Sequence, residues 1–500
     1  MIHLSNKKTI DNLSLEEKVG QLLMVGIPGH APDPIIERRM TQQKIAAYIL
    51  FRKNTPNVSI TQSLTHQLQI MAEKAGIAPL LIAMDQEHGR VIRIDKGITR
   101  FPAAYGLGRI GNPGYVFNAC KIAGQELRAL GINVNFAPVA DINTNPENPI
   151  IGTRSYGENP FKVAQLVKQA ILGYQSAGII CSAKHFPGHG DVETDSHLAL
   201  PVSTKTIKDL HETELKPFKS AISVKVPVIM TAHIMFPQID SEWPATLSPI
   251  LLTGLLRNEL QYDGVIISDD LEMKALNQSG PITDLSVKMI LAGCDMLIIS
   301  QNLTCDVSID AIFQALLNAV QNNIISESRL NQSVERILKL KQKVQQKLSP
   351  DIINHPDHAA VSEKMMREIF LENPHSRHFP VDTQPERLLI ISDISEILNI
   401  CPGIKTNRLL LTPDQSLKTY QSTIAEMDEI FIFLSRISYL PALESLQFTK
   451  NQNIRFFSLN NPYIQSKIQL PLTSYINLYA ECLPLATFNG LIFANFDANK

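Results

Sequence analysis

Over its first 300 residues the chain alternates two hydrophobic rhythms. Short, nearly unbroken apolar runs bounded by Gly, Pro or Asp read as strands at 19–27, 44–51, 79–85, 132–141, 178–186, 226–234, 262–270 and 294–300. Because they are apolar throughout and do not alternate with polar residues, they suit strands covered by helices on both faces. Between them, 60–75, 116–130, 160–178 and 206–222 repeat apolar residues at helical spacing. Eight strands alternating with helices predict an α/β fold, a (β/α)8 barrel of TIM type whose active site lies at the C-terminal ends of the strands. A doubly wound open sheet is the alternative that the same alternation allows.

Residues 305–347 carry one or two long helices that would close the barrel, which sets a barrel domain at 1–347. The Pro, Asp and His content of 348–386 marks a linker with a short helix, and apolar runs resume near 387. These runs alternate with polar or helical segments, so 387–500 is expected to form a small C-terminal α/β layer domain.

Composition narrows the range of partners. With 46 basic against 48 acidic residues, the chain has no electrostatic footprint for nucleic acid or an anionic membrane, and a small-molecule substrate is expected. The N-terminal stretch has no apolar run of the secretory type and no segment reaches spanning length, so the expected location is cytoplasmic. Six cysteines at 120, 181, 294, 305, 401 and 482 show neither CxxC nor zinc spacing and read as reduced core residues. Neither metal nor cofactor is expected, and the pattern does not speak to oligomeric state.

If the barrel is right, polar residues at strand ends mark where substrate binds. The third run ends in Asp85, the fourth in Asp141, the fifth in Lys184 and His185, the sixth in His233, and the seventh in Asp269 and Asp270. One acid at a strand end is an ordinary cap or loop ligand. Five strands ending this way together point to a site.

The densest segment is Lys184-His185-Phe186-Pro187-Gly188-His189-Gly190-Asp191, continuing to Asp195-Ser196-His197. Pro and Gly impose an irregular loop, in which the spacing lets the Asp195 carboxylate reach His197. A carboxylate so placed fixes the tautomer and supports the imidazolium, making histidine a usable general acid near neutral pH. A metal site and ordinary loop polarity are the other readings of these residues.

Taken in order, MDQEHGRVIR (84–93), NVNFAPVADI (133–142), RSYG (154–157), KHFPGHGDVETDSH (184–197), TAHI (231–234) and DGVIISDDLEM (263–273) resemble the bacterial β-N-acetylglucosaminidases of glycoside hydrolase family 3. The resemblance covers roughly residues 13 to 340, and the His/Asp loop is of the kind found in the glucosaminidase branch. It implies that Asp269 is the nucleophile and that His197, oriented by Asp195, is the acid/base. Asp270 would then point elsewhere and cap the following helix. The resemblance also implies that Asp85, Arg93, Arg154, Lys184 and His185 surround the sugar; from its place at a strand end, His233 is a further pocket residue, and Asp141 could equally orient Lys184. Where the family commonly has Asp-Gln-Glu-Gly-Gly-Arg, this chain has Asp85-Gln86-Glu87-His88-Gly89-Arg90.

The activity implied is retaining removal of terminal β-linked GlcNAc from muropeptide fragments during cell-wall recycling. A family 3 β-glucosidase or a broad β-hexosaminidase acting on other glycans is the nearest rival, and aryl-glycoside specificity separates them. A non-catalytic muropeptide-binding sensor would bind without turnover, and a metal-dependent hydrolase would respond to chelators.

Overall fold

Eight short parallel strands lie between residues 23 and 299: β1 (Leu23–Gly26), β2 (Ala47–Ile49), β3 (Leu81–Met84), β4 (Val134–Asn135), β5 (Ile180–Phe186), β6 (Val228–Thr231), β7 (Val265–Asp270) and β8 (Met296–Ile299). They pair in chain order and close into a barrel where Leu23 of β1 meets Leu297 of β8. The computed structural model describes residues 10–371 except 78, 197–198, 277–278 and 304–306. It further describes 388–392, 406–410, 421, 424, 427, 429–434, 453–458 and 474–477.

The ladders are shorter than the apolar runs, because burial continues past the hydrogen-bonded residues. The run from 19 begins inside the helix Leu15–Gln21, whose Val19 is fully buried, before β1 starts at Leu23. Along β3, Leu81, Ile82, Ala83 and Met84 are all buried, as expected where the barrel interior takes one face and the outer helices the other.

The helical segments are largely as patterned, with one informative difference. The stretch 206–222 is two helices, Ile207–Glu212 and Leu215–Ser223. Pro217 accounts for the break: inside a continuous helix its ring would clash with the carbonyl of Thr213, whereas in the first turn of a new helix its missing N–H costs nothing. The closing region is likewise two helices, Ile309–Gln321 and Glu327–Lys341.

Helix Pro356–Leu371 follows and lies against the barrel's helices. Its His358 Nδ1 is 2.8 Å from the buried Glu126 carboxylate, and Met365 belongs to the main hydrophobic core. Beyond it, β9 (Leu388–Ser392), β10 (Thr406–Leu410), β11 (Glu429–Leu434), β12 (Asn453–Ser458) and β13 (Ser474–Asn477) form a parallel sheet in the order β10-β9-β11-β12-β13. Ile430, Phe431 and Ile432 of its central strand are buried in succession, so both faces of that strand are covered. Cys120, Cys181 and Cys294 are buried free thiols, while Cys305, Cys401 and Cys482 lie outside the described residues. Among the described residues, no helix is long and apolar enough to cross a membrane.

At the barrel's N-terminal face, Asp295 is fully buried and bonds Arg257, the Ser333 hydroxyl at 2.7 Å and the Ile266 N–H at 3.0 Å. Arg336 and Arg329 complete the shell at 3.4 and 3.5 Å. Removing one member of a buried ionic cluster strands the others, so Asp295→Ala should destabilise the fold by about 3–5 kcal/mol. Urea unfolding measures this, and turnover per folded molecule should stay near wild type because the substitution is at the end of the barrel opposite the strand C-termini.

Candidate active site

The C-terminal ends of β3, β4, β5 and β7 converge on a cleft of about 300 Å³. At its floor, Lys184 at the end of β5 has a side chain only 2% exposed, with Nζ 2.8 Å from Asp85 Oδ1 and 2.5 Å from Glu87 Oε1. A buried ammonium needs such pairing, because desolvation otherwise drives it neutral. Asp85, directly after β3, also accepts from Arg93 Nη2 at 2.8 Å. Arg154, in the turn Gly152–Arg154, grips Glu87 with two parallel bonds of 2.8 Å from Nε and Nη2. Burial pushes both carboxyls up, but the cations outweigh it: Lys184 and Arg93 hold Asp85 well below the usual carboxylate range, and Arg154 and Lys184 bring Glu87 down to about 2.

His185 occupies the same wall. Its Nδ1 lies 2.7 Å from Asp141 Oδ2, and its Nε2 lies 3.4 Å from Arg154 Nη2, a group that can only donate. The two contacts together assign the proton to Nδ1. Asp141 also accepts the backbone N–H groups of His185 at 3.1 Å and His189 at 2.7 Å. It therefore orients the histidines, and Lys184 is oriented by Asp85 and Glu87 instead.

Adjacent strand residues normally point to opposite faces. Lys184 and His185 nevertheless both reach the cleft, and the register of β5 against β6 shifts between Ala183 and Phe186. The same irregularity recurs in β7 between Ile267 and Asp270, where Asp269 and Asp270 both border the cleft. Asp269 accepts the Asp270 N–H at 2.8 Å. Burial pushes its carboxyl up, but His185, His233, that N–H and Lys184 together hold it below its ordinary value.

Asp270 behaves differently. Its Oδ1 accepts the N–H groups of Ser300 at 3.1 Å and Glu272 at 3.2 Å, so it ties β7 to the end of β8 and does not cap a helix. Burial, opposed by the Ser300 hydrogen bonds, raises it to about 7. His233 is fully buried behind β7, with Nε2 3.1 Å from the Asp270 carbonyl, and so supports the strand end without lining the cleft.

The structure brings Asp85, Arg93, Arg154, Lys184, His185 and Asp269 around one cavity. Asp195 is not on its wall, and its carbonyl accepts the Ala199 N–H at 3.0 Å. His197 lies outside the described residues. Its neighbour Ser196 does line the cleft, bonded to His189 Nε2 at 3.1 Å. His185 and His189 are thus engaged by Asp141 and Ser196, and among the described residues no group of three or more His, Cys, Asp or Glu is placed to hold a metal ion. Reading strand ends missed Glu87, which lies in the following loop; its only signal was an acid two residues beyond Asp85. The apolar wall of Phe136, Met230, Met273 and Ile298 was missed as well.

Residues 14–340 match the family description Glycosyl hydrolase family 3 N terminal domain. A β-hexosaminidase A of Pseudoalteromonas piscicida is 32% identical over 421 residues, covering 78% of this chain and 70% of the relative. A solved family 3 β-N-acetylglucosaminidase from Paenibacillus sp. str. FPU-7 superposes with a TM-score of 0.86 at 31% identity, covering 96% of this chain and 97% of the other. NagZ from Neisseria gonorrhoeae, solved with N-trifluoroacetyl-D-glucosamine, gives a TM-score of 0.57 at 29% identity, covering 69% of this chain and 96% of its own.

Burial lowers His88 and His189 from 6.5 to about 4. On acidification the unfolded chain takes up these protons first, so stability present above pH 6.5 should be lost as the pH falls towards 4. His189→Gln should flatten that slope in urea midpoints measured across the window. An unchanged slope would show that His189 contributes none of it.

Proposed function

The chain belongs to glycosyl hydrolase family 3, and from that premise we propose that it is a retaining exo-β-N-acetylglucosaminidase acting on GlcNAc-terminated muropeptide fragments. The observation that carries this reading is the placement of Asp269: an ionised carboxylate bordering a cleft whose floor holds Asp85, Glu87, Arg154 and Lys184 in fixed ion pairs. About 300 Å³ is at the small end for ligand pockets, which suits capture of one terminal sugar and so exo action. The relatives named β-hexosaminidase, and the neighbour solved with an N-acylated glucosamine, support GlcNAc as that sugar.

Asp85 and Lys184, with Arg93, Arg154 and His185, would bind the sugar hydroxyls and acetamide, each buried contact selecting against sugars that lack the partner. Asp269 attacks the anomeric carbon, forming a carboxylate–carbon bond as the glycosidic carbon–oxygen bond breaks. His197, supported by Asp195, gives its proton to the departing oxygen. In the second step it takes a proton from water, whose oxygen displaces Asp269 and restores the β configuration. Asp85 and Glu87 are poor donors because their pairing keeps them ionised. Asp191 is held by Lys205 at 3.4 Å and by the Ser203 and Thr144 hydroxyls, both at 3.3 Å. A cytoplasmic place of action belongs to the same proposal, and cell fractionation checks it.

One observation favours a second donor. Asp270 borders the cleft with a carboxyl raised to about 7, so that a good part of it keeps its proton near neutrality, as a general acid needs. Leaving-group dependence separates the two. His197→Ala should slow hydrolysis of poor leaving groups by roughly 10²–10⁴-fold while sparing activated aryl glycosides. If the mutant-to-wild-type ratio is flat for His197→Ala and steep for Asp270→Asn, the donor is Asp270.

Asp269→Ala should abolish turnover of a chromogenic GlcNAc glycoside with folding retained, and a slow mechanism-based inactivator should label Asp269. Labelling on Asp270 would reverse the assignment. Wild-type enzyme that prefers glucosides would move the reading to a β-glucosidase.

A further inference from the structure

Four residues of the cleft, Asp85, Glu87, Val91 and Arg93, come from one segment that doubles back on itself. The Glu87 N–H donates to the Val91 carbonyl at 2.9 Å, and the reversal between them runs through His88 and Gly89, with φ of 80° and 62°. Two successive left-handed residues are easy for glycine and strained for a histidine. Gly89 takes its place in the reversal freely, but at His88 a side chain must be accommodated.

The side chain is anchored. His88 is buried, its ring packs edge-on to Phe101 at 5.4 Å, and its Nε2 lies 3.5 Å from the Tyr174 hydroxyl on helix Pro160–Ser176. The reversal that His88 shapes thus follows directly on Glu87, the partner of Arg154 in the bidentate pair.

We propose that His88 is a positioning residue for this site: anchored on Tyr174 and Phe101, it holds the reversal after Glu87 in the shape that sets this carboxylate against Arg154 and Lys184. It touches no substrate and acts through Glu87. The inference rests on the proposed role of Arg154 and Lys184 in binding the sugar.

The test is a kinetic cycle on a chromogenic GlcNAc glycoside. His88→Gly frees the backbone and removes the anchor, and Tyr174→Phe deletes only the hydroxyl that the anchor meets. Each should raise KM about three- to thirty-fold with a smaller change in kcat, the mark of lost ground-state binding. In a Glu87→Gln background the same substitutions should add little further, because the group they act through is already altered. Melting temperatures recorded alongside report any loss of packing, which would appear equally in both backgrounds. Wild-type KM in both variants, or increments that simply add to that of Glu87→Gln, would overturn the proposal. If His88→Gly does not fold, Tyr174→Phe completes the cycle alone. Wild-type enzyme without turnover would instead refute the proposed activity, so the two failures are distinguishable.

Discussion

The cleft depends on a buried positive charge. Lys184 sits at the end of β5 with almost no access to water, and an ammonium there persists only if carboxylates meet it. Asp85 and Glu87 do so, and each is in turn held by a guanidinium, Arg93 and Arg154 respectively. Five charged side chains from three separate segments are thereby fixed in relation to one another. Their charges do not cancel: Lys184, Arg93 and Arg154 against Asp85 and Glu87 leave one positive charge in excess. Asp269 faces that surplus, and Lys184 is among the groups that keep its carboxyl ionised in spite of burial. The carboxylate proposed as nucleophile, which must carry its charge out of bulk water, is stabilised by the same cluster that would bind the sugar.

Two carboxyls on successive residues show how local connections divide roles. Asp269, though buried, is held down by the charges of His185 and His233 and by the one backbone N–H it accepts, while burial dominates at Asp270. Their shifts run in opposite directions, one down and the other up to about 7. The adjacency is allowed because β7 loses its regular register against β8 just there. Regular pleating would have sent one of the two side chains to the outer helices, so the irregularity is part of how the site is built.

Much of the barrel was legible because continuous apolar runs and helical spacing are local signals, and barrel closure follows from their count. The strand-end residues were legible for the same reason: Asp85, Lys184, His185 and Asp269 directly follow or end apolar runs. Glu87 was not, because its burial depends on a reversal through His88 and Gly89 that periodicity does not encode. The role of Asp141 was misplaced because its partner is set beyond the strand pairing: the segment after β4 runs alongside β5, with Val139 bridging Lys184, and the Asp141 carboxylate meets His185 rather than Lys184. The break before Pro217 was readable from the proline alone but was overridden by the helical spacing around it.

Stability and the proposed chemistry lie at opposite ends of the strands, and each end solves the problem of buried charge in its own way. At the N-terminal face, Asp295 is saturated: Arg257, Arg329, Arg336, Ser333 and the Ile266 N–H leave it no capacity for a ligand. At the C-terminal face, the Lys184 cluster is saturated below but open above, where Asp85 and Arg93 keep 14% and 26% of their side-chain surface exposed to the cleft. A closed cluster can only hold the fold together, whereas an open one retains donors and acceptors that a sugar hydroxyl can satisfy when it displaces water. That difference in saturation, more than the presence of charge, marks which end of the barrel is built to bind.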